Sequence, residues 1–289
     1  MTETGDTAVG TPPGDFPPGV DPTRPSPARV YDYLLGGTHN FPVDREVAER
    51  LKAGVPDTVD GMFANRGFHG RAAVWMAQRG IRQFIDIGSG LPTQRNTHES
   101  VHRVAPDARV AYVDVDPMVA AVGNDLLAAD GTTAVITADL REPDSVLGHP
   151  DLRRLIDFAE PAGVLMTAVL HFVPDASDPW SLVARYMAAV TPGSYLGLSH
   201  GTSDRFSARA LQTGRDTFAN AAEHLYLRPK ADIERLFDGL ELVPPYSGAE
   251  PGIVYVGLWG AEDLRAADTD GSRLMYCGVA RRPEGYHGA

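Results

Sequence analysis

Three short apolar runs in this chain end in a carboxylate, and the first carries glycines directly behind it: Phe84-Ile85-Asp86-Ile87-Gly88-Ser89-Gly90. Glycines after a strand let a ligand approach the backbone closely and leave N–H groups to face it. A glycine turn alone is also an ordinary tight connection, so its neighbours decide what it binds. In a dinucleotide fingerprint the third glycine would fall at Thr93, and Pro92 stands where the pyrophosphate-binding helix would begin. That pattern is broken. Asp86 places negative charge where a dinucleotide brings phosphate, whereas the same charge attracts an ammonium group such as that of a methionine moiety. The residues favour S-adenosylmethionine over a nicotinamide dinucleotide, with Asp86, Gly88 and Gly90 as candidate cofactor residues.

The second run, Val110-Ala111-Tyr112-Val113-Asp114-Val115-Asp116-Pro117, reaches two acids. A carboxylate at the C-terminal end of a parallel strand accepts two hydrogen bonds from a ribose diol, in the crevice where open α/β sheets bind nucleotides. Asp114 is assigned this role over Asp116. The alternative is that Asp116 simply caps the next helix while Asp114 is solvated. The third run ends in Ala138-Asp139-Leu140, which offers a carboxylate to an adenine amino group and an apolar side chain to its ring.

Two histidines are candidate general bases. His171 follows Val169-Leu170 at the end of the fourth apolar run, and an unperturbed imidazole titrates near neutral pH. It can equally hydrogen-bond backbone and shape a loop. His200, in Leu198-Ser199-His200, is the second candidate. Near the N-terminus, Tyr31, Asp32, Tyr33, Gly36, Gly37, His39 and Asn40 mix aromatics, glycines and polar tips. They read as a lid in which Tyr31 or Tyr33 covers the cofactor, or as a segment in which both tyrosines pack helices. Arg66 can clamp a carboxylate through two parallel hydrogen bonds, or stand exposed on a helix. His98 and His102 have the i, i+4 spacing of metal ligands but no third ligand nearby, so no metal is assigned and the pair is placed on a solvent-facing helix.

The elements that must position these groups alternate. Strands are expected at 84–87, 110–113, 134–137, 164–169, 195–198, 241–243 and 274–280. Helices are expected at 97–104, 118–129, 145–158, 180–190, 205–224 and 231–237. Such alternation predicts a doubly wound α/β fold, a parallel sheet covered on both faces. Ahead of it, a helix entered at Ser26 as cap and Pro27 and stopped at Gly36-Gly37, a second from Asp44, and an amphipathic third over 62–78 predict an N-terminal helical cap. The organisation is then a leader over 1–25, rich in Pro, Gly, Asp and Thr and expected to be disordered, the cap over 26–80, and the main domain over 81–289.

At 289 residues and 43% hydrophobic the chain can bury a sizeable core. A net charge of -12 repels a phosphate backbone, so nucleic acid is not an expected partner. The single cysteine, Cys277, excludes an internal disulfide and multi-cysteine zinc sites and suits a reducing compartment. The polar N-terminus lacks the pattern of a signal peptide, and the longest apolar stretch, around 164–173, is too short to span a bilayer. A cytoplasmic protein that does not enter the membrane is expected.

Taken in order, Asp86 to Gly90, Asp114 and Asp139 resemble the class I S-adenosylmethionine-dependent methyltransferases. The stretches ARVYDYLLGGTHNFPVDRE, NRGFHGRAAVWMAQRGIRQFIDIGSGLPT, YVDVDP, ADLREPDSVL, AVLHFVPD and YCGVARRP are similar to a bacterial S-adenosyl methyltransferase family formerly catalogued as a domain of unknown function. The resemblance covers almost everything after Pro25. It implies a Rossmann-like, seven-stranded, mostly parallel sheet whose last strand is antiparallel, and it implies methyl transfer without naming an acceptor. A small-molecule acceptor leads the expectations. A cyclase or lyase acting on the sulfonium, or a non-catalytic binding protein, would keep the cofactor and use it differently. A nicotinamide oxidoreductase is disfavoured by Asp86 and Thr93.

Overall fold

The apolar runs form the strands β1 (Gln83–Ile87), β2 (Arg109–Asp114), β3 (Thr133–Thr137), β4 (Gly163–Thr167) and β5 (Tyr195–Gly201), followed by β6 (Glu241–Leu242), β7 (Val254–Tyr255) and β8 (Met275–Arg281) in a computed structural model that describes residues 16–92, 95–127, 131–206, 208–286 and 288. The sheet order is β3-β2-β1-β4-β5-β8-β6, with β7 also paired to β8. The first five strands are parallel, and β8 runs antiparallel to β5, setting Ser199 opposite Cys277. The sheet therefore has eight strands where seven were expected. The added strand, β7, is two residues long, too short to show a period of two in the sequence. Because β1 lies between β2 and β4, strand order reverses there and a crevice opens at the C-terminal ends of these three strands.

The helices are α1 (Pro27–Leu34), α2 (Pro42–Gly54), α3 (Thr58–Gln78), α4 (Thr97–Val101), α5 (Pro117–Leu127), α6 (Pro143–Leu147), α7 (Pro150–Leu155), α8 (Pro179–Ala189), α9 (Ala208–Thr217), α10 (Lys230–Glu234) and α11 (Leu264–Ala267). Proline opens many of them, where its missing N–H costs nothing and its fixed φ suits the first turn. This explains one departure from expectation. The helix foreseen over 145–158 is two, because Pro150 cannot continue α6 and instead starts α7, capped by the His149 side chain, which accepts from the Asp151 N–H.

Alternation along each strand sends side chains to two cores. Ile85, Ile87, Ala111 and Val113 pack with α6, α7 and α8, whereas Phe84, Val110 and Tyr112 pack beneath Phe68, Ala72 and Met76 of α3. A third cluster, with Val30, Leu34, Val47, Ala48 and Phe218, joins α1 and α2 to the segment after α9. Residues 16–25 lie against this region, although their composition predicted disorder. Phe16 meets Phe41 edge to face at 5.0 Å, Arg24 donates to the Ala221 carbonyl at 3.1 Å, and the Pro25 carbonyl accepts from Ala222 N–H at 2.8 Å. Residues 1–15 of the expected leader, and Thr93, lie outside the described residues. The helix foreseen over 205–224 ends at Thr217 within the described segment, the chain beyond it being taken up by the Pro25–Ala222 bond. Among the described residues no helix is long and apolar enough to cross a membrane.

Candidate functional site

A cavity of about 520 Å³ occupies the crevice, floored by the C-terminal ends of β1, β2 and β4 and roofed by α1, α2 and the segment after α9. Its floor begins at the glycine turn. Gly88 and Gly90 have φ of +69° and +65°, the left-handed region that glycine enters freely. A Cβ on Gly88 would collide with Val169, so this glycine lets the loop after β4 close down on the turn. A Cβ on Gly90 would meet nothing within 4 Å. The Val113 carbonyl accepts from the Gly88 and Ser89 N–H groups at 2.7 and 3.2 Å, and the Gly90 N–H donates to Asp114 Oδ2 at 2.8 Å.

Asp114 takes a second backbone bond at Oδ1, from Asp116 N–H at 3.0 Å. Burial raises its pKa to about 6 even though these N–H groups favour the carboxylate. Each oxygen retains a lone pair for an incoming hydroxyl. The neighbouring Asp116 does cap α5, accepting from Met118 N–H at 2.9 Å, but Asp114 is half-buried and bonded to backbone at both oxygens. Asp116 is in addition bonded by Ser26 Oγ and by Arg29 Nη1 at 3.1 Å. Ser26 thus spends its hydroxyl on Asp116 and makes no side-chain bond to α1, contrary to its expected capping role. Arg29 also reaches Asp44 at 2.9 Å, so a buried cation and two buried carboxylates tie α1 to α2 and to the loop after β2.

Asp139 and Leu140 both line the cavity. Burial pushes the Asp139 carboxyl up, but hydrogen bonds and charge from Arg141, whose Nη2 lies 2.6 Å away, hold it below the usual carboxylate range. Arg141 reaches on to Glu223, linking this wall to the segment after α9. Val115, which the sequence reading passed over, is an apolar side chain left 47% exposed on the same wall beside Asp114.

Asp86 is placed differently. It shares the strand face of Phe84, so it points beneath α3 and α4, where it is buried, accepts from Thr97 Oγ1 at 2.6 Å and lies 3.6 Å from His69 Nε2. It lines a small recess that shares Arg66, Ser89 and Gly90 with the main cavity. Arg66 is not an exposed helical residue. It is 8% exposed, its Nε has no hydrogen-bond partner, and its guanidinium lies 5.6 Å from the Tyr31 ring centroid. Ser89 Oγ is likewise buried without a partner. Among the described residues no carboxylate pairs with Arg66; an unpaired buried cation is costly, and the two orphaned groups fit an anionic ligand.

Of the two lid tyrosines only Tyr31 lines the cavity, its hydroxyl donating to the Met62 carbonyl at 3.1 Å and accepting from Asn65 Nδ2 at 3.0 Å. Tyr33 turns outward to Glu49 at 2.9 Å. Asp32, His39 and Asn40 knit the α1–α2 turn instead of facing the cavity: Asp32 Oδ2 accepts from His39 N–H and Asn40 Nδ2 at 2.9 and 2.8 Å.

His171 lines the cavity on a short 3-10 turn, Leu170–Phe172. The strand expected to reach Val169 stops at Thr167 because Ala168 adopts φ +54°, its N–H donating to Ser199 Oγ at 3.0 Å. His171 Nδ1 accepts from Gly201 N–H at 3.2 Å, and burial together with Arg228 lowers its pKa to about 3. Such an imidazole is a poor proton acceptor at neutral pH. His200 is fully buried and does not line the cavity. Its Nδ1 donates to the Gly201 carbonyl at 2.8 Å and its Nε2 accepts from Arg228 Nη1 at 2.7 Å. Both ring nitrogens are spent, so His200 supports Arg228 and is no base. His98 and His102, both half-buried, are also hydrogen-bonded inward, to the Tyr112 hydroxyl at 2.6 Å and the Ala108 carbonyl at 2.9 Å.

The sequence matches, over residues 14–283, the model of a family described as S-adenosyl methyltransferase. Among solved structures, it is similar to a candidate methyltransferase from Thermobifida fusca YX, with 40% identity, a TM-score of 0.84, and coverage of 92% of this chain and 98% of that one. It is also similar to a DUF574 family protein from Streptomyces avermitilis MA-4680, with 38% identity, a TM-score of 0.81, and coverage of 90% and 98%. No curated protein matches. The chain therefore belongs to the S-adenosyl methyltransferase family, and S-adenosylmethionine is the cofactor of the methyl transfer it catalyses.

Proposed function

We propose that this methyltransferase acts on a small, largely apolar molecule held beneath the helical cap. The observation that carries the proposal is the chemical division of the cavity. The half at the strand ends is polar, whereas the half beneath the cap is lined by Leu34, Leu51, Met62, Phe172, Phe218 and Leu225, which belong to or pack on one apolar cluster. Walls of this kind, with few polar groups, bury a small organic ligand rather than a charged polymer.

In the polar half, Arg66 and Ser89 are suited to the methionine carboxylate, and Asp86 supplies negative charge at the adjoining recess for the ammonium group. Asp114 accepts from the ribose hydroxyls. Asp139 offers its remaining lone pairs to the adenine amino group, with Leu140 and Val115 giving the ring apolar surface. Gly88 and Gly90 keep the floor free of side chains, and Tyr31 closes the roof. The bound sulfonium brings a methyl group already activated for in-line displacement, so the protein's part is alignment and exclusion of water.

Incubation with methyl-labelled S-adenosylmethionine and a panel of apolar small molecules tests the proposal. Labelled product and S-adenosylhomocysteine should appear in equal amounts. Cofactor breakdown without S-adenosylhomocysteine would indicate a lyase or cyclase, binding without turnover across the panel a non-catalytic role, and label incorporated only into macromolecules a different acceptor class.

A further inference from the structure

The turn that carries His171 is held from behind. Arg228 is 3% exposed and spends its guanidinium on this turn: Nη1 donates to the Leu170 carbonyl at 3.1 Å, Nη2 to the Val173 carbonyl at 2.7 Å, and Nε and Nη2 to Asp175 Oδ1 at 3.0 and 2.6 Å. The His171 carbonyl accepts from Tyr226 N–H at 2.7 Å. The imidazole is thereby fixed on the cavity wall between Val169, which lies against the glycine turn, and Phe172, which packs on the apolar cluster. It stands where the cofactor half of the cavity meets the acceptor half.

A backbone N–H can only donate, so Nδ1, which faces Gly201 N–H, must carry a lone pair. In the neutral ring the proton is then on Nε2, which has no partner among the described residues although the side chain is more than nine-tenths buried. The charged and titratable groups facing the ring are Arg228 and His200; burial and Arg228 oppose a second proton on His171, and burial holds His200 itself neutral. Neighbouring polar groups take no proton either: Asn65 is bonded to Tyr31 and Ser199, and both ring nitrogens of His69 are bonded to Thr167 and Thr97.

We infer that His171 is a hydrogen-bond donor to the methyl acceptor through Nε2–H, and that the acceptor is an apolar, ring-sized molecule presenting an already ionised oxygen, a phenolate or enolate. An aromatic or amine nitrogen has one lone pair and cannot attack while accepting this bond. A phenolate oxygen keeps a lone pair for His171 and uses another to form the O–CH3 bond, the C–S pair returning to sulfur to leave S-adenosylhomocysteine. No proton moves in that step. Arg228 acts as a positioning residue, holding the turn that presents the donor.

The inference rests on the methyltransferase reading, and calorimetric binding of S-adenosylhomocysteine to each sample separates its failure from failure of that reading. Nitrogen–proton correlation spectra of protein carrying 15N-labelled histidine, with S-adenosylhomocysteine bound and His171 assigned from the His171→Gln variant, should show one neutral ring protonated at Nε2 across about pH 5 to 8. With 4-nitrophenol as the probe, absorbance should show the bound phenol ionising at a pH lowered by roughly one unit, a tenfold preference for phenolate. Glutamine can accept from Gly201 N–H and still donate, so His171→Gln should keep the shift while His171→Leu loses it, and Arg228→Lys should weaken it. Protonation at Nδ1, titration of His171 near neutral pH, no binding of 4-nitrophenol, or loss of the shift in His171→Gln overturns the inference while cofactor binding persists.

Discussion

Arg66 carries a positive charge into a site where the folded chain offers it an aromatic face and leaves its Nε without a partner. If its counter-charge is the cofactor carboxylate, Arg66→Met should weaken S-adenosylhomocysteine about ten- to a hundredfold, the equivalent of ~1.5–3 kcal/mol for hydrogen bonds to a charged group. The ligand-free variant should unfold at the same temperature or higher, because an uncompensated buried cation has gone. A variant that unfolds earlier yet binds normally would make Arg66 a structural residue. Asp114 yields a pH dependence. Its folded pKa of about 6 lies above the ordinary value, so the native state holds this proton more tightly than the unfolded chain. The stabilisation from the protonated form is full below about pH 4 and is lost as pH rises through 6. Asp114→Asn should therefore raise the melting temperature of ligand-free protein at pH 7 to 8 and leave it unchanged near pH 4. Accepting from two hydroxyls needs the carboxylate, so cofactor affinity of the wild type should fall by about tenfold per unit below pH 6. Flat affinity across that range would count against Asp114 as the ribose ligand. The placement of Asp114 and Asp139 on the cavity wall was legible because a carboxylate at the end of an apolar run has a fixed place in a parallel sheet. The state of His171 and His200 was not, because burial and an arginine 28 or more residues distant in sequence decide it.

At the scale of elements, the glycine turn and the buried ion cluster carry separable effects. Gly88→Ala adds both a positive-φ cost of roughly 1–2 kcal/mol and a collision with Val169, so it should lower stability sharply in urea unfolding. Gly90→Ala adds only the conformational cost, and its effect should appear mainly as weaker cofactor binding. Equal losses of stability in the two variants would contradict this placement. Arg29 joins Asp44 and Asp116 with side chains almost wholly buried. Replacing it with methionine strands two carboxylates and should cost about 3–5 kcal/mol in unfolding free energy. Ser26 shows why this cluster escaped a local reading. Its position before Pro27 is that of a helix cap, yet Asp116, 90 residues away, takes its hydroxyl. Helix starts marked by proline were legible to within two residues at Pro27, Pro42, Pro117, Pro143 and Pro179, but the start of α7 at Pro150 was missed. Beyond the end of α9 the chain bonds to residue 25 through Ala222, a contact that no local pattern announces.

Across the whole molecule, the alternating apolar runs and helices were enough to predict the doubly wound sheet, because burial on both faces forces such runs and crossover connections do the rest. The segment just before the cap was the larger misreading. Composition made residues 16–25 look unable to pack, but Phe16, Arg24 and Pro25 fasten the segment to the cap and to the chain after α9, and Gly19, Asp21 and Arg24 line the cavity. The apolar half of the cavity was not legible because its side chains come from α1, α2, α3 and the loops after β4 and α9, and only the fold assembles them.

The central claim is that the crevice at the ends of β1, β2 and β4 binds S-adenosylmethionine and that the chain transfers its methyl group from there. The most direct measurement is calorimetric titration of wild-type protein and Asp114→Ala with S-adenosylmethionine and S-adenosylhomocysteine at pH 7.5. The account predicts binding of both at micromolar concentration by the wild type, weakened at least tenfold in the folded variant by loss of the ribose bonds. Equal binding by the two proteins, or none by folded wild type, would contradict it.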